Sequence, residues 1–481
     1  MCTGNTLQRK AMSAAVNAIF SEGRWSSVDR VADVLNPYTG ETVGHMARAG
    51  AGQAVAAARA AGRFRCEASA HERGAVLLRT AEEIQDSAEV FVRSIVEETG
   101  NTRKDAVSEV RRAVAQLRFG GEEAKRLTGE SIATDVTDYT ARRLAVTLPE
   151  PLGLICAITP FNRPLNQVVT KVVPAVAAGN SVIVKPSEKA PLTAGLFVRA
   201  LLDSGLPPGM IALVTGDPLE VGEALVSCEY VDMVTFTGSA AVGQRIARRI
   251  GMIRSAFELG DSGALIVADD ADLSAAVSAA AAGAYATAGQ SCRGVKRILV
   301  QEQVADEFAD MLVEATERLV VGDPRDPGTD IGTLIDEPAA VRVERRVAEA
   351  VDGGARVLAG GQRRGAQFWP TVLDHVDRGA PLVCEETFGP CAPLVRVKDL
   401  ADAVDYLNAG RVGLQAGVFT QRIDDAMRAA RELQVGAVIV NGGPQFESPN
   451  IPFGGVKDSG HGREGVRYAM REMTRLKTLV L

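Results

Sequence analysis

Short apolar runs alternate with longer amphipathic segments from residue 150 to the C-terminus. Each run holds Val, Ile and Leu at consecutive positions, which is typical of strands buried on both faces of a parallel sheet. The intervening segments carry apolar residues at helical spacing. The pattern therefore predicts a series of βαβ units and an α/β fold. The predicted strands are residues 154–158, 182–184, 211–214, 233–236, 264–267, 298–300, 418–419 and 437–440.

Three further patterns complete the predicted layout. Residues 51–125 are charged, Ala-rich and apolar at helical spacing, which predicts a helical layer ahead of the first sheet. Residues 273–292 are uncharged but mostly Ala, Ser and Gly, and they predict a packed helix rather than a membrane span. Residues 136–148 and the C-terminal TRLKTLVL alternate weakly, and we expect strands there that reach outside the main domains.

Composition excludes several classes of protein. The 481 residues are 46% hydrophobic and 23% charged, an ordinary globular balance for about three structural units. The net charge of −7 is spread without long runs of one sign, which argues against a nucleic-acid partner. No segment is apolar enough for a membrane span, and the N-terminus lacks the apolar core of a secretory signal. We therefore expect a cytoplasmic protein without a membrane partner.

Cysteine and histidine usage predicts neither a disulfide framework nor a metal site. The seven cysteines form an odd number without a C-x-x-C pair. The four histidines are far apart, and none stands at a metal-ligand spacing from Cys or Glu. We expect no resident metal ion.

Three short segments carry candidate chemistry. Gly238, Ser239 and Gly243 follow a predicted strand and open a helical pattern, which would cradle a phosphate or form an ordinary βα turn. Cys292 stands between a helix and a strand, where a thiolate could be activated, although a lone cysteine is commonly a small buried apolar side chain. Glu258 ends an apolar run, where it would face a crevice or lie solvated in a loop.

Taken together, seven motifs in family order resemble those of the aldehyde dehydrogenase superfamily. The resemblance runs from about Asn36 to the C-terminus, and it keeps the family's spacing between Glu258 and Cys292. The motifs are Thr159-Pro160-Phe161-Asn162, Lys185-Pro186-Ser187-Glu188, Phe236-Thr237-Gly238-Ser239, Glu258-Leu259-Gly260, Gly289-Gln290-Ser291-Cys292, Glu385-Glu386-Thr387-Phe388-Gly389-Pro390 and Pro452-Phe453-Gly454-Gly455-Val456-Lys457.

The resemblance implies an α/β aldehyde dehydrogenase fold with three parts. A Rossmann-like NAD(P)-binding domain is expected at residues 1–128 and 150–258, and an α/β catalytic domain at 259–452. Oligomerisation strands are expected at 129–149 and 468–481. The same resemblance implies a homodimer or homotetramer.

The resemblance also implies catalytic roles. Cys292 would attack the aldehyde carbonyl to give a thiohemiacetal, with the Asn162 amide and the Cys292 backbone N–H holding the oxyanion. After hydride transfer to the nicotinamide, Glu258 would activate the water that hydrolyses the thioester to the carboxylic acid. A coenzyme A-acylating enzyme and a catalytically idle binding protein are the alternatives. The presence of Glu258 argues against the first, and all three residues together argue against the second.

The cofactor implied by the resemblance is a nicotinamide dinucleotide. Lys185 and Glu188 match positions that hold the adenosine ribose, Ser239 would meet the pyrophosphate, and Glu386 and Phe388 would position the nicotinamide end. The Glu188 carboxylate favours NAD over NADP because it would repel a 2′-phosphate, whereas Lys185 could pair with one. The expected cofactor-binding residues are Thr159, Pro160, Phe161, Lys185, Ser187, Glu188, Gly238, Ser239, Gly243, Leu259, Gly260, Glu386 and Phe388.

Two departures from the family pattern lie beside these residues. Asp261 and Ser262 replace the Gly-Lys pair that usually follows Glu-Leu-Gly. The Asp261 carboxylate would either shift the pKa of Glu258 or face solvent. Phe161 replaces the Trp common before the oxyanion Asn and keeps an apolar wall.

Polar residues occupy tunnel positions that are often apolar in relatives acting on apolar aldehydes. Arg111 and Arg112 lie on a helix that borders the tunnel mouth in relatives. The pattern favours a small polar or anionic aldehyde, as in the lactaldehyde and phosphonoacetaldehyde branch, because an arginine fork binds carboxylate or phosphonate. Ser291 stands where phosphonoacetaldehyde enzymes typically have Arg, which leaves that substrate open. The expected substrate-binding residues are Arg163, Asn166, Gln167, Ser291, Arg293 and Phe453.

Overall fold

The computed structural model describes residues 18–481. The segment on which the expectation about a secretory signal rests lies largely outside the described residues. In chain order the strands are β1 Ala18–Ser21, β2 Arg24–Ser27, β3 Val31–Leu35, β4 Thr42–Ala47, β5 Ser131–Ile132, β6 Ala145–Pro151, β7 Leu154–Ile158, β8 Ser181–Lys185, β9 Ile211–Leu213, β10 Met233–Thr237, β11 Arg254–Glu258, β12 Ala264–Val267, β13 Arg297–Gln301, β14 Arg356–Ala359, β15 Arg363–Arg364, β16 Gln367–Phe368, β17 Thr371–Asp374, β18 Cys391–Val397, β19 Val412–Gly413, β20 Gln415–Phe419, β21 Ala437–Val440, β22 Val456–Lys457, β23 Gly460–His461 and β24 Thr474–Val480.

Helices cover these strands. The predicted helical layer at 51–125 and the predicted helix at the start of 273–292 are both present. The α-helices are α1 Ala51–Arg63, α2 Ala70–Asp86, α3 Ala88–Thr99, α4 Arg103–Glu123, α5 Pro164–Ala178, α6 Leu192–Asp203, α7 Glu223–Val226, α8 Ala240–Ala247, α9 Leu273–Tyr285, α10 Ala305–Glu317, α11 Glu337–Asp352, α12 Pro381–Cys384, α13 Leu400–Ala409, α14 Ile423–Glu432 and α15 Val466–Glu472.

The first sheet has eight strands in the order β2-β1-β9-β8-β7-β10-β11-β23. Its five central strands are parallel, and β1, β2 and β23 are antiparallel additions at the edges. Alternate residues of β7 enter two different cores, with Ile155 and Ala157 in one and Leu154 and Cys156 in the other. Because helices cover both faces, the central strands β7, β8 and β10 are buried at every position and mostly apolar, as the sequence pattern predicts.

The second sheet has seven strands in the order β14-β17-β18-β13-β12-β20-β21. All neighbours except β14 and β17 run parallel, and two further apolar cores cover its faces. The two sheets are formed by successive parts of the chain, mainly residues 154–258 and 264–440. This arrangement confirms the predicted α/β class, while the domain boundaries stay a prediction.

The chain terminus pairs with the segment that precedes the first sheet. Strand β24 lies antiparallel to β6 over seven residues, from Thr474 opposite Pro151 to Val480 opposite Ala145. Strand β5 adds a third, short strand. The expected strand at 136–148 begins only at residue 145, because the hydroxyls of Thr137 and Thr140 bond within a turn at 2.7 Å.

No helix in residues 18–481 is long and apolar enough to cross a membrane.

Candidate active site

The carboxyl ends of three neighbouring strands of the first sheet lie level with one another. Ile158 of β7 pairs with Phe236 of β10, which pairs in turn with Phe257 of β11. The strand order reverses between β7 and β10, and open α/β sheets bind ligands outside the carboxyl ends at such a reversal. Asn162 and Ser239, which follow two of these ends, therefore lie at one ligand-binding edge.

The segments before the strands of the second sheet face this edge. The Asn162 side-chain amide donates to the carbonyl of Gln290 at 2.9 Å. The rings of Phe161 and Phe388 meet edge to face, with centroids 6.1 Å apart. Because Gln290 precedes Cys292 by two residues, these contacts bring the predicted nucleophile opposite the carboxyl ends of the first sheet.

A kinked turn precedes Cys292 and positions it. Helix α9 ends at Tyr285, and Thr287, Ala288 and Gly289 then take left-handed backbone angles, with φ of 52°, 52° and 73°. The Gln290 side chain fixes the turn because its Oε1 accepts the Ile335 backbone N–H at 2.9 Å. Helix α4 holds the other side, since Asp105 accepts the Thr287 backbone N–H at 3.2 Å.

The Cys292 thiol is half-buried and resists ionisation. Burial raises its pKa to about 11, and the nearby Arg293 guanidinium opposes that rise. At neutral pH the resting group is therefore the thiol, and a proton acceptor is needed when the sulfur attacks.

The Glu258 carboxylate is buried, and neither of its oxygens has a hydrogen-bond partner among the described residues. Its backbone is fixed by pairing with Gly460 of β23. Burial raises the pKa of Glu258 well above its usual range, and Glu464 raises it further, while Lys171 opposes the rise. A carboxylate with a raised pKa is a stronger base than a solvated one, and its free oxygens can accept a proton from water.

A buried ion pair lies within electrostatic reach of Glu258. Lys171 on α5 donates to Glu464 at 2.7 Å, and their side chains are 1% and 10% exposed. Neither residue belongs to the motifs from which the site was predicted. Lys171 could have been recognised from the sequence as a buried charge, because it is the single charged residue in an apolar helical run. No sequence pattern distinguishes Glu464 in this way.

The predicted phosphate cradle at the start of α8 has the form expected of a helix N-terminus. The Ser239 hydroxyl accepts the Val242 backbone N–H at 3.5 Å. A Cβ at Gly243 would overlap the side chain of Leu259, so glycine lets the helix approach the strand closely. These residues leave exposed N–H groups at a helix terminus, where an anion is favoured.

The residues predicted to hold the adenosine ribose follow β8. Lys185 is buried, and its Nζ lies 4.0 Å from the half-exposed carboxylate of Glu188. Burial lowers the pKa of Lys185, with Glu188 opposing. Ser187 accepts the Lys189 backbone N–H at 3.2 Å. Glu188 is therefore a loosely held carboxylate that can turn toward or away from a ligand.

Asp261 neither faces solvent nor acts chiefly on Glu258, contrary to both sequence-based expectations. It is buried, and its carboxylate accepts the Gln415 backbone N–H at 3.4 Å. Burial raises the pKa of Asp261 to about 6. The negative charge of Asp261 acts instead on Glu386. Burial and Asp261 raise the pKa of Glu386 to about 7, while the nearby Lys296 ammonium opposes the rise.

Three arginines and one glutamate form a cluster beside Cys292. Glu447 accepts from Arg293 at 2.5 Å and is in contact with Arg112, and both guanidiniums use the same oxygen, Oε2. Arg163 lies close enough to Arg112 and Arg293 for its charge to lower the pKa of both guanidiniums. Burial and this repulsion lower the pKa of Arg112. We call Arg112, Arg163, Arg293 and Glu447 the arginine cluster.

Further polar groups near the arginine cluster have no partner. Both side-chain atoms of the buried Asn166 and the Oε1 of Gln167 lack hydrogen bonds within the described chain. The Arg293 guanidinium also lies over the Phe453 ring, 5.3 Å from its centroid. The neighbouring Ser291 is buried, while Arg111 on α4 is exposed.

The residues present fit a dinucleotide. Thr159 Oγ1 and Glu386 Oε1 are buried without a partner within residues 18–481, as groups that await ligand hydroxyls would be. Gly260 leaves room beside Glu386, because a Cβ there would overlap its carboxylate. No group of three or more His, Cys, Asp and Glu side chains in the same range is placed to hold a metal ion.

Comparison with known proteins shows the family of the chain. The Aldehyde dehydrogenase family profile matches residues 25–479. The chain belongs to the aldehyde dehydrogenase family. It is accordingly an NAD(P)-dependent oxidoreductase that converts an aldehyde to a carboxylic acid, as the resemblance predicted.

Curated relatives match over nearly their whole length. A 3-sulfolactaldehyde dehydrogenase from Priestia megaterium is 39% identical over 466 residues, which cover 96% of this chain and 97% of the relative. Aspartate-semialdehyde dehydrogenase 1 from Pseudomonas canavaninivorans is 39% identical over 452 residues, covering 93% and 96%. A lactaldehyde dehydrogenase from Methanococcus maripaludis is 37% identical over 470 residues, covering 96% and 99%. These relatives agree with the predicted lactaldehyde branch.

Solved relatives share the fold. An NADP-dependent glyceraldehyde-3-phosphate dehydrogenase from Bacillus halodurans complexed with NADP has a TM-score of 0.94 at 34% identity, covering 97% of this chain and 99% of that one. The glyceraldehyde-3-phosphate dehydrogenase GapN from Methanocaldococcus jannaschii complexed with NADP has a TM-score of 0.91 at 36% identity, covering 94% and 100%. The ranking of NAD above NADP therefore gains no support, because both of these relatives hold NADP.

Proposed function

We propose that this dehydrogenase oxidises a small aldehyde that carries an anionic group near its carbonyl. The observation that carries the proposal is the arginine cluster beside Cys292, where Arg112 and Arg293 share the Glu447 carboxylate and Arg163 lies within electrostatic reach of both. The carboxyl groups of Asp105 and Glu109 also lie within electrostatic reach of Arg163, but burial raises the pKa of both and so disfavours the ionised forms that would balance the guanidiniums. An anionic substrate would relieve the mutual repulsion of the arginines and would accept their free N–H groups.

The names of the relatives support an anionic substrate. The 3-sulfolactaldehyde, aspartate-semialdehyde and glyceraldehyde-3-phosphate enzymes are named for small aldehydes with a sulfonate, a carboxylate and a phosphate. The lactaldehyde enzyme is named for a small neutral hydroxyaldehyde. All four substrates are short and polar, and the unpartnered Asn166 and Gln167 suit such molecules better than an alkyl chain, because each buried polar atom left unpaired costs roughly 1–3 kcal/mol.

In the proposed acylation step, the Cys292 sulfur attacks the carbonyl carbon and its proton leaves for a nearby base or water. The Asn162 Nδ2, which donates to the Gln290 carbonyl, would turn to the developing oxyanion together with the Cys292 backbone N–H. When bound, the nicotinamide would accept the hydride that leaves the thiohemiacetal carbon. The product of this stage is a thioester on Cys292.

In the proposed deacylation step, Glu258 removes a proton from the water that attacks the thioester. Its unpartnered oxygens and raised pKa suit this role, since both favour proton uptake from water near neutral pH. Collapse of the tetrahedral intermediate releases the carboxylic acid and returns the Cys292 sulfur. Hydrolysis at this site, rather than transfer to coenzyme A, is the outcome that the buried glutamate supports.

The cofactor residues are proposed to act as the resemblance implies. Ser239 and the N-terminus of α8 would meet the pyrophosphate, with Thr159 and Pro160 beside it, and Glu386 would accept from the nicotinamide ribose. We propose that Glu188 favours NAD, because its carboxylate accepts a 2′-hydroxyl and repels a 2′-phosphate. Since Glu188 is held only loosely by Lys185, it can turn away and admit NADP. Glu188→Gln should raise the NADP-to-NAD ratio of kcat/KM, and an unchanged ratio would refute this role.

Substrate preference tests the main proposal. Reduced-cofactor absorbance is followed with succinic semialdehyde, phosphonoacetaldehyde, lactaldehyde and the apolar hexanal. We expect Arg112→Ala, Arg163→Ala and Arg293→Ala to lower kcat/KM for the two anionic aldehydes about 10- to 100-fold more than for hexanal. Arg111→Ala is the matched control, because it removes the same charge one residue away on the exposed face of α4. The proposal fails if hexanal is the best substrate or if no arginine variant changes the ranking.

We further propose a homodimer or homotetramer that works in the cytoplasm. Strand β24 is an edge strand, and it exposes Leu476 and Val480 on one face, which suits a protein interface. The six cysteines within residues 18–481 are free thiols, as is usual in a reducing compartment. Light scattering should give a smaller particle for Leu476→Asp/Val480→Asp than for wild type, with Leu219→Asp, an exposed leucine elsewhere, as the control.

A further inference from the structure

We propose that Glu447 selects substrates that carry a hydrogen-bond donor, an ammonium or a hydroxyl, on the carbon next to their anionic group. This inference rests on the proposed function, because it assigns the anion to the arginines and a second feature of the same substrate to Glu447. The substrate class is therefore a short aldehyde with an amino- or hydroxy-acid head group.

The geometry of Glu447 points to a second hydrogen-bonding role. Both of its arginine contacts, from Arg112 and Arg293, go to Oε2. The other oxygen, Oε1, is left to accept a further donor, since a carboxylate has about four lone-pair sites. Its side chain is 29% exposed, so the carboxylate is not sealed off from a ligand.

Shared arginines place the two substrate features side by side. Each guanidinium has five N–H donors in a planar fork, and Glu447 uses only part of them. A substrate anion bound by the remaining donors of Arg112 or Arg293 would lie next to Glu447, because both groups are bonded to the same guanidinium. A donor on the adjacent carbon of the substrate would then meet Oε1. An anion without such a donor would leave two like charges close together.

A carboxylate is an unexpected side chain in a site built only for an anion. If the site served an anion alone, Glu447 would cancel one of the positive charges that bind it and compete for the same donors. If the substrate carries a hydrogen-bond donor, the Glu447 carboxylate binds that donor and attracts the substrate instead of only repelling its anionic group. Specificity of this kind uses attraction to one ligand and repulsion of its near relatives.

Three substrates that differ only at one carbon test the inference. Succinic semialdehyde has hydrogen there, 2-hydroxy-4-oxobutanoate has a hydroxyl, and aspartate semialdehyde has an ammonium group. We measure kcat/KM for each with wild type, Glu447→Gln and Glu447→Asp, and we express the second and third as ratios to the first. Glu432→Gln, on the exposed face of α14, removes the same charge outside the site and should leave all three values unchanged.

We expect the wild-type ratio to exceed one for at least one donor-bearing substrate, and Glu447→Gln to lower that ratio about tenfold or more. Glu447→Asp should recover part of the ratio because it keeps the carboxylate. The substrate whose ratio falls identifies the donor as ammonium or hydroxyl. A merely structural role would lower all three values together and leave both ratios unchanged, which would overturn the inference.

The test separates this inference from the proposed function on which it rests. If succinic semialdehyde is no better a substrate than pentanal, a neutral aldehyde of similar length, the arginine cluster does not bind an anion and both ideas fail. If succinic semialdehyde is preferred but Glu447→Gln raises kcat/KM for all three matched substrates alike, the anion site stands. Glu447 is then an internal counter-ion only, and the inference is wrong.

Discussion

Lys171 and Glu464 form a buried ion pair whose two charges act in opposite directions on the pKa of Glu258. The amine donates to the carboxylate at 2.7 Å, and neither side chain is more than about one-tenth exposed. Glu464 raises the pKa of Glu258 and Lys171 lowers it, while burial has the largest effect. The pair therefore lets a second buried carboxylate stand near Glu258 without an unbalanced charge.

Breaking this pair should destabilise the protein strongly. Lys171→Met leaves Glu464 buried without its cation, and we expect the free energy of unfolding to fall by about 3–5 kcal/mol. The double variant Lys171→Met/Glu464→Leu should regain much of that loss, because it removes both charges. Urea unfolding measures the differences. Lys104→Met, which breaks an exposed pair with Asp330, is the matched control and should cost no more than about 1 kcal/mol.

Replacing the proposed nucleophile should stop turnover without preventing cofactor binding. Cys292→Ala removes the sulfur that must bond to the aldehyde before hydride can leave, so we expect no detectable aldehyde oxidation. Dinucleotide affinity, measured by fluorescence titration, should stay close to that of wild type because Cys292 is not among the proposed cofactor-binding residues. Turnover within tenfold of wild type would show that another group forms the covalent bond.

Removing the proposed base should separate the two stages of the reaction. With Glu258→Gln, a burst of reduced cofactor should persist while steady-state turnover slows, because only hydrolysis loses its base. In wild type, hydrolysis should slow as the pH falls through the raised pKa of Glu258, since the protonated acid cannot accept a proton. Rapid mixing across a pH series measures both. Equal losses of burst and steady state would place Glu258 in acylation.

Asp261 should contribute to the pH at which the cofactor binds, in addition to the larger effect of burial on Glu386. The pKa of Glu386 is about 7, and only its ionised form accepts two ribose hydroxyls, so dinucleotide affinity should rise as the pH increases through that value. Asp261→Asn removes a like charge and should move the midpoint to lower pH. Binding titrations at several pH values measure the shift. Asp405→Asn, on the exposed face of α13, is the matched control, and equal midpoints in both variants would contradict the assignment.

Local pattern was enough to predict most of the elements. The strands that end at Ile158 and Thr237 are buried at every position because both faces of their sheet are covered, and turn residues follow them directly. The paired order of β6 and β24 could not be predicted, since their register depends on a contact between distant parts of the chain. The resemblance named the candidate catalytic residues, but it did not reveal which charges surround them.

The charges around the site illustrate why some contacts escape sequence analysis. Asp105, Glu109 and Arg112 lie at helical spacing on one face of α4, yet a charged helical face usually points to solvent. Here Glu109 accepts the backbone N–H groups of Leu165 and Asn166 at 2.9 and 3.0 Å. Such a face is buried only because another helix begins against it, and no local pattern carries that information.

The kinked turn before Cys292 limits how this chemistry can be moved to another protein. Two non-glycine residues there, Thr287 and Ala288, hold left-handed angles, which cost of order 1–3 kcal/mol each. Their conformation is imposed from outside, by Asp105 on one side and by the Ile335 backbone through Gln290 on the other. A designer who grafts the loop alone onto a new scaffold would lose these restraints, and the sulfur would drift from its position. The transferable unit is the loop together with both of its distant anchors.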